Sequence, residues 1–404
     1  MRKIMLFCAF LLASVYATAQ KYLISGTVTD ERTGKVVAQA SIGVDNDRAS
    51  VVTNDEGYFT LKVDEVPTSL IVSHLGYETK RQVLSAGQLE RLSIRLKPTS
   101  IELGEVVVWT ENPRDLVNIA ISKIPDNYSK SPTLYKCFYR EAAMKRKHFI
   151  YVAEGVMDMY KTSYRQDAQR DRVAIVKGRR LLSPKQSDTL GVKVAGGPVQ
   201  PVIFDFVKNP DFLFAPEDME NYAFTMEGSA LIDDRPHYVV GLSPRGWTPW
   251  ALYYGKLYID RATLSFTRAE LELDVHDVPR ATRYMLVKKP FGVRFKPKEL
   301  SILVDYKYED GATHLSYVRS MFRFNCDWKR RLFATSFSIA CEMVVTDRQE
   351  NGIAPIRGRD SFDSRSAFFD KVDYFRDPQF WEDYNIIEPT ESLDKAIGKI
   401  IKKY

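Results

Sequence analysis

Histidine and cysteine are scarce, five and four in 404 residues, and no two histidines stand close together. A zinc peptidase needs two ligands at close spacing plus a distant histidine, so the spacing alone argues against one. His74 with Glu78, and His276 between Asp274 and Asp277, read as turns. Phosphate-cradling and dinucleotide-binding glycine patterns are missing. Gly241-Leu242-Ser243-Pro244-Arg245-Gly246 breaks the nucleophile-elbow pattern, and Pro244 has no N–H for an oxyanion hole. Charge of one sign is lacking too: 58 basic residues face 52 acidic ones, spread along the chain. No basic stripe of the kind that tracks nucleic acid stands out, and Lys145-Arg146-Lys147 and Lys329-Arg330-Arg331 stand beside turns. Beyond the amino terminus no run of about 18 apolar residues occurs, so no transmembrane helix is expected in the mature chain.

What is present is a globular mixture, 45% hydrophobic and 27% charged. At roughly 150 residues per domain the length suits two or three domains. Residues 1–19 carry Arg2 and Lys3, the apolar run Ile4 to Val15, and Ala17-Thr18-Ala19. This is the pattern of a secretory signal peptide cleaved after Ala19. Cys8 lies inside the apolar run, which argues against a lipid-modified amino terminus. Loss of the leader lowers the formal charge from +6 to +4. Three cysteines then remain, Cys137, Cys326 and Cys341. Either Cys326 and Cys341 pair across a hairpin, or all three are buried thiols acting as small hydrophobes, which is the preferred reading.

Residues 22 to 98 read as seven short strands, punctuated by turns such as Asp30-Glu31-Arg32-Thr33-Gly34 and Asn54-Asp55-Glu56-Gly57. That density of strands predicts a β-sandwich. Phe59, Leu61 and Val63 alternate with polar neighbours and mark a buried face. Asp45-Asn46-Asp47 and Asn54-Asp55-Glu56 offer oxygens for calcium, but the EF-hand spacing fails at Ala49, so turn chemistry is preferred.

Ser25-Gly26-Thr27-Val28 with Asp30 and Gly34, then Thr53-Asn54-Asp55-Glu56-Gly57-Tyr58-Phe59-Thr60-Leu61, then Leu75-Gly76-Tyr77-Glu78, resemble the carboxypeptidase regulatory-like (transthyretin-like) domain. The resemblance implies an accessory sandwich, found beside zinc carboxypeptidases and at the front of TonB-dependent outer-membrane receptors, with no catalysis of its own. Ile101 to Val108 resembles the extended connector that follows this module.

A helix follows: Asn112 caps it, Pro113 takes the first position and Pro125 stops it after Ile124. Leu116, Ile119, Ala120 and Lys123, widened by Val117, Ile121 and Ile124, give the stripe of a helix packed on a sheet. From Tyr135 to Asp347 long strands dominate, among them Leu264 to Val275, Thr282 to Lys288 and Lys298 to Tyr308, with a hairpin turn at Glu309-Asp310-Gly311. Leu271, Leu273 and Val275 alternate with Glu270, Glu272 and Asp274, as in a sheet with one wet face. Tyr254 to Asp260 and Arg261 to Leu264 resemble the repeating hairpin of the half-barrel in periplasmic lipoprotein-sorting proteins, which implies a curved sheet crossed by a helix. The whole order is similar to exported carboxypeptidase-regulatory-like proteins of Gram-negative bacteria.

The expected fold is thus mainly β: a leader (1–19), a transthyretin-like β-sandwich (20–98), a connector and helix (99–126), and a large antiparallel half-barrel-like domain (127–347). A loop, an aromatic segment and a C-terminal helix (348–404) complete it, with Leu393, Ala396, Ile397, Ile400 and Ile401 on the helix face that docks onto the protein's own core. Trp247 and Trp250 sit on a Pro-containing loop where indoles are hard to bury, and with Tyr254 they are the candidate binding residues. The expected function is a non-enzymatic binding or scaffold protein of the periplasm or outer membrane, its β-domain holding an apolar or protein ligand. Envelope proteins, lipids or glycans are the expected partners, with no nucleic acid, metal or cofactor. The alternative is an extracytoplasmic hydrolase seeded by Asp233, Asp234 and His237. An outer-membrane barrel fits poorly, because the chain ends in a Lys-rich helix.

Overall fold

The computed structural model describes residues 21–45, 48–85, 87–99, 112–182, 196–285, 292–328, 333–374, 380–381 and 384–401. The leader, the connector Ile101 to Val108, Asn46 and Asp47, Lys329-Arg330-Arg331, and Asp377 to Gln379 lie outside them.

Seven strands form the expected sandwich: β1 (Tyr22–Asp30), β2 (Ser41–Val44), β3 (Ser50–Val52), β4 (Tyr58–Val63), β5 (Ser69–Ser73), β6 (Lys80–Val83) and β7 (Leu92–Leu96). One sheet has the order β4-β1-β7 and the other β3-β2-β5-β6. Ile24, Val28, Ile42, Phe59, Leu61 and Ile94 meet between them, fully buried. Gly57 turns the chain into β4 with φ +73°, where a Cβ would lie 2.7 Å from the Val28 carbonyl oxygen. Only glycine fits there.

Helix α1 (Pro113–Ser122) begins as expected: the Asn112 side chain accepts from the Arg114 N–H at 3.0 Å, and Pro113 sits in the first turn. It ends two residues early. Pro125 starts a second turn, Ile124–Asn127, where a proline's missing N–H costs nothing. Leu116, Val117 and Ala120 face inward, onto a large sheet.

That sheet runs β11-β12-β13-β14-β15-β16-β17-β8-β9-β10, antiparallel throughout, with the two-residue β18 (Asp373–Tyr374) added in parallel at β10. In chain order the strands are β8 (Thr133–Lys145), β9 (His148–Lys161), β10 (Arg172–Leu182), β11 (Tyr222–Ile232), β12 (Arg235–Pro244), β13 (Tyr253–Asp260), β14 (Phe266–Leu273), β15 (Val293–Glu309), β16 (Ala312–Trp328) and β17 (Thr335–Gln349). Register shifts recur, for example at Met226/Gly228, Pro297/Glu299 and Val345/Asp347. Such bulges bend strands and give the sheet its curvature. The stretch expected to be a strand from Thr282 is instead helix α2 (Val278–Met285), entered through Pro279, and residues 286–288 lie outside the described ones. Here helix-start chemistry overrides the β-branched content.

The concave face is filled by the chain itself. Behind α1, the segment from Gly197 to Met219 folds into short helical turns and inserts Phe204, Phe206 and Phe214. Phe206 contacts Phe214, Phe266 and Tyr306 edge-on, with centroids 5.5, 5.5 and 5.6 Å away. The expected wet face is wet only in part. Leu271 and Leu273 point inward and Glu272 is exposed, but Phe138, Val156, Tyr317 and Val344 on the outer side are covered by Val52 of the sandwich and by Trp381, Ile386 and Ile387 of the tail. Helix α3 (Glu391–Ile401) docks Leu393 and Ile397 beside Val152 and Leu181, on the protein's own body.

All three described cysteines are free and buried. The register pairs Cys326 with Thr335 and Cys341 with Ser320. Six residues along a strand is roughly 20 Å, far beyond disulfide reach.

Glu141, on β8, is buried, and its carboxylate accepts from the Tyr139 hydroxyl at 3.2 Å. Burial pushes its pKa up from 4.5 to about 8, against the donors from Tyr139 and the Phe369 N–H. A carboxyl raised in the folded state contributes stability fully present below about pH 4.5 and lost as pH rises through about 8. Glu141→Gln is therefore expected to flatten the pH dependence. The melting temperature of the variant minus that of the native protein should rise between about pH 5 and 8 and stay level in more acid buffer. A difference independent of pH would show that Glu141 ionises normally.

Candidate functional site

The strands of the large sheet alternate in direction, so the connections β8–β9, β12–β13, β14–β15 and β16–β17 share one end. The turns β11–β12 and β15–β16 lie at the other. There the sandwich touches the sheet: the Thr79 N–H donates to Asp234 at 3.0 Å, and Arg48 reaches Asp310 at 3.3 Å.

Trp247 and Trp250 lie in the β12–β13 connection, and Trp247 is 75% exposed. The loop is braced. The Thr248 hydroxyl donates to the Trp250 carbonyl at 2.6 Å, and the Trp250 indole N–H to Asp218 at 2.9 Å. From α2, Arg280 donates to the Thr248 carbonyl at 2.9 Å and Arg283 to the Pro249 carbonyl at 3.1 Å. Arg280 also pairs with Asp277 at 3.0 Å, and its guanidinium lies 6.0 Å from the Trp247 ring centre. A braced loop holds its indoles in place before anything binds, which reduces the ordering cost of association.

Tyr254 does not join the two indoles. It lies on the outer face of β13, in a groove of about 380 Å³ with Lys256, Glu270, Leu303, Arg319 and Met321. Its neighbour Tyr253 points inward and donates to the Tyr284 hydroxyl at 2.6 Å. Burial carries the Tyr253 phenol well above its ordinary pKa. Residues the sequence did not single out share the indoles' end of the sheet: Val278 and Tyr284 on α2, and Phe333, 78% exposed, after β16. Tyr284 and Phe333 lie in apolar runs, Tyr284-Met285-Leu286-Val287 and Leu332-Phe333-Ala334, so nothing in the sequence marked them as exposed.

The residues offered for hydrolysis do not form a site. Asp233 and Asp234 have φ +50° and +59°, the left-handed pair of a two-residue hairpin turn. Asp234 spends its carboxylate on the Thr79 N–H. His237 is buried, its Nδ1 donating to the Arg235 carbonyl at 2.7 Å, and burial lowers its pKa. No three His, Cys, Asp or Glu side chains gather as a metal site among the described residues. Nor is any described helix long and apolar enough to cross a membrane.

Residues 24–108 match the family described as CarboxypepD_reg-like domain. The sandwich is a carboxypeptidase regulatory-like domain. This regulatory-like domain is a non-catalytic fold, and it occupies about a fifth of the chain. No curated protein matches the sequence. Among solved structures, a DUF1329 family protein from Desulfovibrio piger is 9% identical, with a TM-score of 0.25 over 60% of this chain and 96% of its own. Lipovitellin, solved for its lipid–protein interactions, is 9% identical, with a TM-score of 0.27 over 62% of this chain and 28% of its own. Likenesses at such TM-scores carry no weight here; the architecture rests on the registers above.

Proposed function

We propose that this chain is a non-enzymatic binding protein of the cell envelope. Its regulatory-like domain is a docking module, and the large β-domain presents Trp247 and Trp250 to an apolar or protein ligand, with Tyr254 a separate contact on the outer face. The single observation that supports this reading is the braced loop holding Trp247 75% exposed, a fixed indole with its apolar face open to a partner. Export rests on the leader pattern of residues 1–19. The concave face is packed with the protein's own aromatic rings, so the ligand surface is assigned to the end of the sheet.

Native mass spectrometry of the protein purified from its own envelope tests this. A mass excess that disappears on denaturation, and is lost in Trp247→Ala and Trp250→Ala but kept in Asp234→Asn and His237→Ala, is the expected result. Exposed positions such as Trp247 tolerate replacement within about 0.5 kcal/mol, so loss of ligand would not reflect unfolding. A phenotype abolished by His237→Ala and untouched by either tryptophan variant would overturn the reading.

A further inference from the structure

The same end of the sheet carries more than indoles. In the four connections gathered there, the exposed large apolar side chains among the described residues are Trp247, Trp250, Val278, Tyr284 and Phe333. Trp247 and Phe333 are the most exposed of all large hydrophobic residues described, at 75% and 78%. They stand in connections four strand-steps apart, roughly 19 Å along the sheet. A pair of apolar residues so separated does not make one small-molecule pocket; it makes a front.

The charges of those connections are one-sided. The exposed charged side chains described in them are Arg146, Lys147, Arg245 and Arg283, all basic. The carboxylates of the β14–β15 connection are engaged, Asp274 with His276 at 2.8 Å and Asp277 with Arg280 at 3.0 Å. Exposed acidic side chains near this end are Glu217 and Glu220, on the approach to β11, and Glu272, at the end of β14. The regulatory-like domain meets the turns at the opposite end, at Asp234 and Asp310.

Aromatic side chains at headgroup depth together with exposed Lys and Arg are what holds a protein at an anionic bilayer surface: the rings enter the interface and the cations meet lipid phosphates. We infer that this end of the β-domain is a peripheral membrane-docking surface for an anionic lipid bilayer, with Trp247 and Phe333 inserted and Arg146, Lys147 and Arg283 on the headgroups. This rests on the reading of Trp247 as a binding residue and names the partner it meets.

Vesicle flotation of the mature full-length protein tests it, with pure phosphatidylcholine against phosphatidylcholine containing about a third phosphatidylglycerol. Flotation with the anionic vesicles, weakened by salt, and a blue shift of tryptophan emission are expected. Trp247→Ala combined with Phe333→Ala should lower partitioning roughly tenfold or more, because two large apolar side chains no longer leave water. Arg146→Glu with Lys147→Glu should lower it roughly tenfold or more on anionic vesicles only, each residue acting through surface potential. Unchanged melting curves would show the variants folded. No flotation with either vesicle at low salt, or flotation indifferent to both double variants, would overturn the inference. If flotation fails while Trp247→Ala still strips a retained ligand in native mass spectrometry, the bilayer is the wrong partner and the binding reading of the loop stands.

Discussion

Asp205→Ala is expected to destabilise the protein by about 3–5 kcal/mol, the cost of leaving a buried ion pair half broken. Asp205 is fully buried in the segment that fills the concave face. It accepts from the Tyr306 hydroxyl of β15 at 2.7 Å and the Tyr164 hydroxyl at 2.9 Å, and pairs with Lys161 of β9 at 2.8 Å. Lys161 also lies 3.2 Å from Asp171, and Asp171 in turn holds Lys208 at 2.9 Å. Two cations and two anions thus cancel inside the fold, with the Tyr164 and Tyr306 hydroxyls on Asp205 and the Thr162 hydroxyl on Asp171. Burial opposes the charge on Lys161, but Asp205 and Asp171 reverse that and raise its pKa. Lys208 is less well compensated. Burial and the neighbouring Lys161 bring it down to about 8. Removing Asp205 leaves Lys161 and Lys208 to share the single carboxylate of Asp171 in the interior, and releases the Phe204 to Phe214 plug from the strands it covers. Tyr306→Phe removes one hydrogen bond and leaves the charges balanced, so about 1 kcal/mol is expected. Denaturant unfolding at neutral pH measures both. An Asp205→Ala loss no larger than that of Tyr306→Phe would mean that the quartet contributes shape rather than charge compensation.

The quartet also marks where reading the chain stops. Lys161, Asp171, Asp205 and Lys208 come from a strand end, a turn and a plug, and only the closed fold makes them neighbours. No spacing announces them. The plug itself has neither helical nor strand periodicity, so an apolar concave face read from the strands alone looks vacant until Phe206 is seen lying on it. Local chemistry was legible: Asn112 capping α1, the alternation of Phe59, Leu61 and Val63, and the Asp310-Gly311 hairpin all follow from neighbours a few residues away. The misread stretch at Thr282 shows the limit from the other side. Its β-branched and aromatic residues suit a strand, while Pro279 and packing against β15 make it a helix. Of the candidate site, Trp247 and Trp250 were legible because two indoles on a proline loop have few ways to be buried. Phe333 and Arg146 gain meaning only once the sheet order places their connections at the same end.

Trp381→Ala is expected to split one cooperative unfolding transition into two. The ring is 5% exposed at the junction of three parts of the chain. Phe138 of β8 meets it edge-on at 5.7 Å, and the Arg179 guanidinium lies 4.8 Å from its centre. Its carbonyl and that of Tyr384 accept from the Lys62 ammonium of the regulatory-like domain, at 2.5 and 3.0 Å. Asn385 continues the strap, bonding both backbone groups of Lys62 at 2.7 and 3.0 Å. Beneath it Glu154 is clasped by Arg140 and Arg179, and Arg140 also donates to the Ile387 carbonyl at 2.6 Å. The tail is therefore the clamp that makes the regulatory-like domain and the large sheet unfold together. Truncating a buried Trp costs about 3–5 kcal/mol. Here the loss falls on the junction, since each partner keeps its own core. Calorimetry should show the transitions separating, and limited proteolysis should release the regulatory-like domain from the variant at temperatures where the native protein resists. Trp381→Phe keeps the edge-on contact and removes an indole N–H that has no acceptor among the described residues, so it should stay near native stability. A single unshifted transition in Trp381→Ala would mean that the two domains are coupled through Ser50, Arg48 and Arg319, which meet Val345, Asp310 and Asp55, rather than through the tail.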